Sequence, residues 1–254
     1  MAFGLLPRGD RLPRDPVFDR IIERGRITVI TRNNAHCYHI YRGEAMGFEY
    51  DLARAFADYL GVELAVHTSA RWETMLPELR RGDGDFVAAS LTITDARREA
   101  VAFSRAYMPI QQHIIVHRSN DTIARSADLA GKTVHVRAGT SYVDRLAELR
   151  EAGIDLEIAA HPDLPTEDLI RMVAEAEIEV TVADSNIAML NRRYYPQAVM
   201  AGPISEKQHL GWAVSPRAHT LLSKMNQFLD HCRETGRFAK IYNRYYAEVE
   251  IFDY

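Results

Sequence analysis

The sequence has few of the residues from which metal and redox sites are built. It contains two cysteines, Cys37 and Cys232, and ten scattered histidines. Two cysteines are too few for a disulfide-rich scaffold, and no Cys/His spacing is typical of a zinc site. The sequence therefore predicts no metal and no cofactor. Two unrelated small residues and a single Cys37–Cys232 disulfide both stay open.

Catalytic motifs are missing as well. The chain has no GxSxG nucleophile turn, no GxxxxGK[ST] phosphate loop and no HExxH metal motif. This favours a protein that is not an enzyme. A catalytic pair of carboxylates stays open, because the chain has 35 acidic residues and the sequence does not show which of them meet.

Long apolar runs and a strong charge of either sign are also absent. The formal net charge of −4 argues against a nucleic-acid-binding surface. No run approaches the roughly 20 apolar residues of a membrane helix. The start of the chain has no signal-peptide core, and Pro7, Pro13 and Pro16 favour a polar arm over 1–23. If the protein is exported, we expect its targeting segment to lie outside this sequence.

What the sequence does have is an alternation of strand and helix patterns. Strands are predicted by β-rich or apolar segments at 26–33, 62–69 and 85–90. A helix between the first two is predicted by apolar residues every four positions: Phe48, Leu52, Phe56 and Leu60. Further helices are predicted over 71–82 and from 95 to 104. Such alternation is typical of a mostly parallel sheet flanked by helices.

The same pattern repeats over 113–195. A return strand at 210–216 follows, and then two helices that break near Gly236. With 47% hydrophobic residues, the chain suffices for two α/β lobes of about 100 residues each. No flexible linker separates the repeats, so we expect two crossing strands to connect the lobes.

Two of the predicted strand-to-helix junctions carry hydroxyl groups. The first has Ser90 and Thr92, and the second has Gly139 followed by Thr140 and Ser141. Hydroxyls and free backbone N–H groups at a helix start suit an anion, although such residues are normally helix caps.

Arg97 follows the first junction, in the first turn of the predicted helix, where the helix dipole disfavours a cation. Its guanidinium can grip a carboxylate with two hydrogen bonds. We therefore predict that Arg97 and the two junctions hold a small carboxylate between the lobes. The alternative is that Arg97 is a solvated surface charge.

Each of three further residues can be interpreted as either a structural residue or a ligand contact. Asp184 ends a predicted strand, where it either caps the next helix or accepts a ligand's ammonium group. Trp72 and Tyr38 are either core aromatics or rings that stack on a ligand.

Several segments resemble bacterial extracellular solute-binding proteins of family 3, the periplasmic receptors for polar amino acids. The resemblance covers about residues 24–250 and is carried by "GFEYDLARAFADYLGVEL", "RWETMLPELRRGDGDFVAASLTITDARREAVAFSRAYM", "LAGKTVHVRAGTS", "VADS" and "GWAVSP". It implies a two-lobed periplasmic-binding-protein fold of type II that closes on a free amino acid. The implied lobes are 24–112 with 209–254, and 113–208.

The resemblance also implies roles for individual residues. Arg97 matches the carboxylate-binding arginine, and Asp184 matches the acid that receives the α-ammonium group. The remaining implied ligand contacts are Ser90, Thr92, Thr140, Ser141, Trp72 and Tyr38. The chain departs from the family at Arg32, where an acid is usual, which disfavours a cationic ligand side chain and allows an acidic or neutral one. Arg137 could point the same way.

A narrower resemblance, through "GFEYDLARAFADYLGV", "VADS" and the ending "EIFDY", is to the N-terminal module of the membrane-bound lytic murein transglycosylase F family. It implies a ligand-sensing module whose ligand is a cell-wall amino acid or muropeptide fragment. No transglycosylase domain is visible in the sequence.

We therefore expect a monomeric periplasmic or extracellular receptor of the kind that serves an ABC permease, and no nucleic-acid partner. The sensing module of a fused transglycosylase domain is one alternative. An enzyme resembling cyclohexadienyl dehydratase, which shares the fold, is the other.

Overall fold

The computed structural model describes residues 15–247. Its strands are β1 Arg26–Thr31, β2 His39–Tyr41, β3 Glu44–Met46, β4 Glu63–Thr68, β5 Phe86–Val87, β6 Ala102–Phe103, β7 Met108–Ile110, β8 Gln112–His117, β9 Thr133–Arg137, β10 Glu157–His161, β11 Val180–Asp184, β12 Ala198–Pro203, β13 Gln208–Leu210 and β14 Ala213–Val214. Its α-helices are α1 Pro16–Arg24, α2 Phe48–Leu60, α3 Met75–Arg81, α4 Asp95–Arg98, α5 Ser141–Glu151, α6 Thr166–Ala174, α7 Ser185–Asn191, α8 His219–Glu234 and α9 Arg237–Tyr246. Two short 3₁₀ helices cover Trp72–Thr74 and Ser126–Leu129.

Two five-stranded sheets form the centres of two lobes. The first lobe is built on the order β4-β1-β5-β14-β6, and the second on β10-β9-β11-β8-β12. In the first sheet β14 runs against its two neighbours, and in the second sheet β8 does the same. The other pairs are parallel, so most strands of each sheet have their carboxyl ends at the same edge of that sheet. The predicted two-lobed α/β fold is confirmed.

The chain passes between the lobes twice, and the two passages pair with each other. Strands β7 and β13 form a separate antiparallel ladder, with Met108 opposite Leu210. Strand β8 follows the first passage and β14 follows the second, which explains why these two strands run against their sheets. The lobe boundaries at 112/113 and 208/209 stay predictions.

Helix α2 shows how the apolar stripe becomes core. Phe48, Leu52 and Phe56 are fully buried, and the Phe56 ring packs within 5.8 Å of the Trp212 ring centre. Gly61 ends the helix in the left-handed conformation.

Helix α3 contains a proline. It tolerates Pro77 because the proline lies in the first turn, where its missing N–H has no intrahelical partner.

Some predicted elements differ from the structure. Residues 1–23 were expected to be a polar arm, but helix α1 begins at Pro16. The helix starts there because Asp15 accepts hydrogen bonds from Val17 N and Phe18 N and because proline suits the first helical position. Pro7 and Pro13 lie outside the described residues. The helix expected from 95 ends at Arg98, because the chain must turn to place β6 beside β14. The strands β2, β3, β6 and β12 were not predicted, whereas β7 and β13 are the two crossing strands that were expected between the lobes without assigned positions.

One buried carboxyl group joins the parts of the first lobe. Glu49, at the start of α2, is 1% exposed and accepts hydrogen bonds from Ser90 N at 2.7 Å, from Trp212 Nε1 at 3.0 Å and from the Tyr107 hydroxyl. Burial raises the pKa of Glu49, and its three donors oppose that rise. The carboxyl group thereby connects α2, the end of β5 and both passages between the lobes.

We predict that Glu49→Gln lowers the free energy of unfolding by about 1–3 kcal/mol. An amide NH₂ cannot accept a hydrogen bond, so at least one of the three buried donors loses its acceptor. Urea unfolding measures the change, with Glu63→Gln at an exposed position as the control. Equal losses of stability in the two variants would contradict the assignment.

Candidate functional site

A narrow cavity lies between the lobes, at the carboxyl ends of strands from both sheets. Ligands in open α/β sheets bind at such edges. The empty space within the cavity is about 290 Å³. The lobes meet beside it, where Trp72 Nε1 donates to the Gly139 carbonyl at 2.8 Å. The cavity is lined by Arg32, Trp72, Ser90, Thr92, Thr140, Ser141, Tyr142, Thr166, Asp184 and Ile187.

Ser90 and Thr92 bring the first lobe's polar groups to the cavity. Ser90 has a φ of 55°, in the left-handed region that is rare for residues other than glycine. Its backbone N–H donates to Glu49, which holds the strained turn in place. The chain then leaves β5 so that both hydroxyl residues face the cleft.

Arg97 lies behind this turn and is half-buried. Its Nη1 donates to the Thr92 carbonyl at 2.8 Å, and its Cζ lies 5.7 Å from the centre of the Trp72 ring. Burial lowers the pKa of Arg97, while the nearby carboxylates of Asp144 and Asp184 oppose that shift. Thr94 caps α4 by accepting from Arg97 N. The solvated-charge alternative for Arg97 does not fit this environment.

The second lobe contributes Thr140 and Ser141 at the start of α5. Neither acts as a side-chain cap: the Thr140 hydroxyl donates to the Arg137 carbonyl at 2.7 Å, and Ser141 Oγ accepts from Gln112 Nε2 at 3.0 Å. Gln112 is fully buried, and its Oε1 has no hydrogen-bond partner within residues 15–247. Both hydroxyl residues therefore belong to a polar wall rather than to an ordinary helix cap.

Asp184 ends β11 and stands before α7, but its side chain does not cap that helix. The carboxyl group is 3% exposed, and Oδ1 has no hydrogen-bond partner in the described part of the chain. Burial raises the pKa of Asp184 to about 7, against the opposing effects of the Tyr142 hydroxyl and the Arg97 guanidinium. An unpartnered buried carboxyl group at a cavity suits a ligand that donates hydrogen bonds or carries positive charge.

Trp72 connects the two lobes directly. Its Nε1 donates to the Gly139 carbonyl at 2.8 Å. Gly139 has a φ of +74°, and a Cβ atom there would lie 3.2 Å from Trp72 Cδ1. Close approach of the lobes therefore depends on a residue without a side chain at position 139.

Arg32 follows β1 and is 6% exposed. Its Cζ lies 5.0 Å from the centre of the Trp72 ring, and its Nη2 lies 3.6 Å from Glu167 Oε2 in the second lobe. Asn34 Nδ2 donates to the other oxygen of Glu167 at 2.8 Å. These contacts form a second connection between the lobes.

Three residues considered from the sequence are not among those that line the cavity: Tyr38, Arg97 and Arg137. Tyr38 packs its ring within 5.3 Å of the Tyr50 ring centre, and its backbone bridges to Asn33 and Asn34. Arg137 is 7% exposed, and its Nε has no hydrogen-bond partner among residues 15–247. The ligand-contact roles of all the predicted site residues stay predictions.

The sequence reasoning missed Tyr142, Thr166 and Ile187. Thr166 begins α6 and is 1% exposed, so the rule that found Thr140, a hydroxyl at a helix start, applies to it as well. Tyr142 is one residue beyond the second junction, and its hydroxyl accepts from Asp184 N at 3.0 Å. Nothing in the local pattern marks Ile187.

Residues 15–247 contain no cluster of three or more acidic, His or Cys side chains arranged to hold a metal ion. Cys37 and Cys232 are both buried and free, so the disulfide alternative does not hold in this structure. Over the same residues, no helix has the length and apolarity needed to span a bilayer.

Comparison with known proteins accounts for this architecture. The family model of bacterial extracellular solute-binding proteins, family 3, matches residues 27–248. The chain belongs to this family.

Relatives and solved structures agree with that membership. Membrane-bound lytic murein transglycosylase F from Desulfosudis oleivorans is 50% identical over 235 residues, which are 92% of this chain and 52% of the relative. An ancestral arginine-binding protein bound to arginine superposes with a TM-score of 0.80 at 26% identity, covering 88% of this chain and 99% of the other. An ancestral amino acid-binding protein, a precursor of cyclohexadienyl dehydratase, gives 0.79 at 27%, covering 90% and 98%. The chain spans about half the length of the curated relatives it matches.

We predict that Asp184 makes the protein less stable as the pH rises from about 4 to about 7. The folded-state pKa is about 7 and the ordinary value is 3.8, so the folded protein binds more protons than the unfolded chain in that window. The free energy of unfolding of the wild type should fall, relative to Asp184→Asn, by up to about 1.4 kcal/mol per pH unit.

Urea unfolding across this pH window measures the difference between wild type and variant. Asp121→Asn, at an exposed position, is the control and should track the wild type. A difference between wild type and Asp184→Asn that does not change with pH would show that the carboxyl group titrates normally.

Proposed function

We propose that the protein binds a small amino acid or a related carboxylate between its lobes and closes on it by a hinge at β7 and β13. The unpartnered, buried carboxyl group of Asp184 at the cavity carries this proposal. An α-ammonium group supplies both the charge and the N–H donors that Asp184 lacks. Amino-acid binding by structural neighbours of the same fold supports the proposal.

We assign the ligand's α-carboxylate to groups other than Asp184, namely the Arg97 guanidinium and hydroxyl residues of the cavity. Arg97 uses one donor on the Thr92 carbonyl, and its remaining N–H groups are available to a second acceptor. Thr92 of the first lobe and Thr140 and Ser141 of the second lobe line the same cavity. The carboxylate is thus placed where both lobes contribute, so binding favours the closed arrangement.

We predict that Arg97→Ala abolishes amino-acid-induced thermal stabilisation while the free protein still folds. Loss of the guanidinium leaves the ligand's carboxylate desolvated without its strongest donor. The measurement is a thermal-shift screen over the amino acids, followed by calorimetry. The control is Arg98→Ala, the exposed arginine beside it, which should keep the stabilisation. Undiminished binding in Arg97→Ala would refute this assignment.

A second prediction tests closure by comparing two glycines with the same backbone angle. Gly139 and Gly131 both have a φ of +74°, but an added Cβ meets Trp72 only at position 139 and finds open space at 131. Both alanine variants should lose about 1 kcal/mol of stability from the strained φ. Only Gly139→Ala should also weaken ligand binding, by about tenfold. Equal ligand affinities in the two variants would contradict closure through this contact.

We propose two alternative biological roles for the chain. The first is a periplasmic or extracellular receptor; the name of the family supports extracellular solute binding, and delivery of the amino acid to an ABC permease is the partner we propose for this setting. A ligand-sensing module fused to a transglycosylase domain follows from the relatives, which carry the name of a lytic transglycosylase and are about twice as long as this chain. In the second setting, muropeptide fragments become ligand candidates beside free amino acids.

The two settings and the enzymatic alternative are separated by direct measurements. Muropeptides join the thermal-shift screen, and the genomic neighbours of the coding sequence show whether a permease or a lytic domain accompanies it. Turnover of prephenate or arogenate by the purified protein would overturn the pure binding function in favour of the dehydratase alternative. Stabilisation by an amino acid without turnover supports the binding function.

A further inference from the structure

Arg32 is a nearly buried guanidinium with unused hydrogen-bond donors at the cavity. It lines the cleft and is 6% exposed, yet it makes no hydrogen bond to any residue of 15–247. Its nearest acidic atom, Glu167 Oε2, is 3.6 Å away, beyond hydrogen-bonding distance. A guanidinium carries five N–H donors, and leaving them unpaired after burial is unfavourable. The position therefore points to an acceptor that is supplied from outside the chain.

Charged groups of both signs surround the cleft. Arg137, 7% exposed, has an unpartnered Nε and interacts repulsively with Arg32. Carboxyl groups oppose these guanidiniums from around the cavity: Glu167, Glu73 and Asp163 act on Arg137, and Asp144 and Asp184 act on Arg97. Among the residues that line the cavity itself, the charged ones are Arg32 and Asp184, and burial disfavours the ionised form of Asp184. Arg32 is therefore the positive charge at the cavity with which a ligand's anionic group can pair.

We propose that the ligand is an acidic amino acid whose side-chain carboxylate binds Arg32. This inference rests on the proposed function, because Arg97 and Asp184 are already assigned to the ligand's α-carboxylate and α-ammonium groups. The Arg32 guanidinium lies over the Trp72 ring, with Cζ 5.0 Å from the ring centre, and its N–H groups make no hydrogen bond within residues 15–247 that would compete with a carboxylate. An anionic side chain also supplies Arg32 with a counter-charge inside the cavity.

The same geometry disfavours the two other ligand classes. A cationic side chain, such as that of the arginine bound by one structural neighbour, would be placed beside Arg32 and near Arg137. A neutral amide of the same size can accept from Arg32 through one oxygen but brings its NH₂ group against the other donors. Acid and amide therefore make a matched pair of probes, since they differ in charge and hardly in shape.

The experiment measures calorimetric affinities for glutamate and aspartate, in both enantiomers, beside glutamine, asparagine and arginine at low ionic strength. We expect one acid to bind at least about tenfold more tightly than its own amide. Arg32→Gln should remove that preference by weakening the acid about tenfold or more while changing the amide by less than about threefold. Arg150→Gln, at an exposed position of the second lobe, is the control and should keep the preference.

The outcomes separate this inference from the proposed function. Binding of an amide or of arginine at least as tight as that of the acid overturns the role of Arg32 and leaves amino-acid binding intact. A loss of affinity in Arg32→Gln that is equal for acid and amide shows a structural role only, and also overturns it. If none of these five amino acids binds the wild type but the wider screen finds another amino acid or carboxylate ligand, this inference fails and the proposed function stands. If the wider screen finds no ligand either, both fail. Retained amide binding and an unchanged melting curve show that Arg32→Gln is folded.

Discussion

The buried carboxyl group of Glu49 is the interaction on which the rest of the cleft depends. It holds the backbone N–H of Ser90, whose left-handed φ turns the chain from β5 toward the other lobe. Through Tyr107 and Trp212 the same group fixes the two segments that flank the passages between the lobes. A polar group this deep is unfavourable unless every lone pair is used, so the network confines several chain segments to one arrangement.

The cleft itself is built from groups that the fold leaves incompletely satisfied. Asp184 and Arg32 face the cavity with unused hydrogen-bonding capacity, whereas Trp72 and Glu167 are already engaged across the lobes. Polar contacts such as these join the lobes, and Leu190 of α7 also packs with the apolar cluster of the first lobe. Most hydrophobic packing lies inside each lobe, in clusters around Trp212 and around Val136. Closure can therefore respond to a ligand, because little of the apolar core is shared between the lobes.

Local patterns in the sequence predicted much of this. The four-residue spacing from Phe48 to Leu60 specified α2, and hydroxyls at helix starts located Ser90, Thr92, Thr140 and Ser141. The short strand β6 was not predicted as a separate element, because two paired residues leave no period to detect. Glu49 and Gln112 were missed since their importance comes from partners far away in the chain. The family resemblance, rather than spacing, singled out Asp184 and Trp72 as facing a ligand, and the structure places both on the cavity wall.

The two passages between the lobes also have a consequence for biosynthesis. All five strands of the second sheet lie in one stretch of chain, from Gln112 to Pro203, whereas the first sheet has its β14 after that stretch. Because β14 sits between β5 and β6, the first sheet remains split until β14 has left the ribosome. The lobe that is translated in the middle can thus fold first and bring the two halves of the other together.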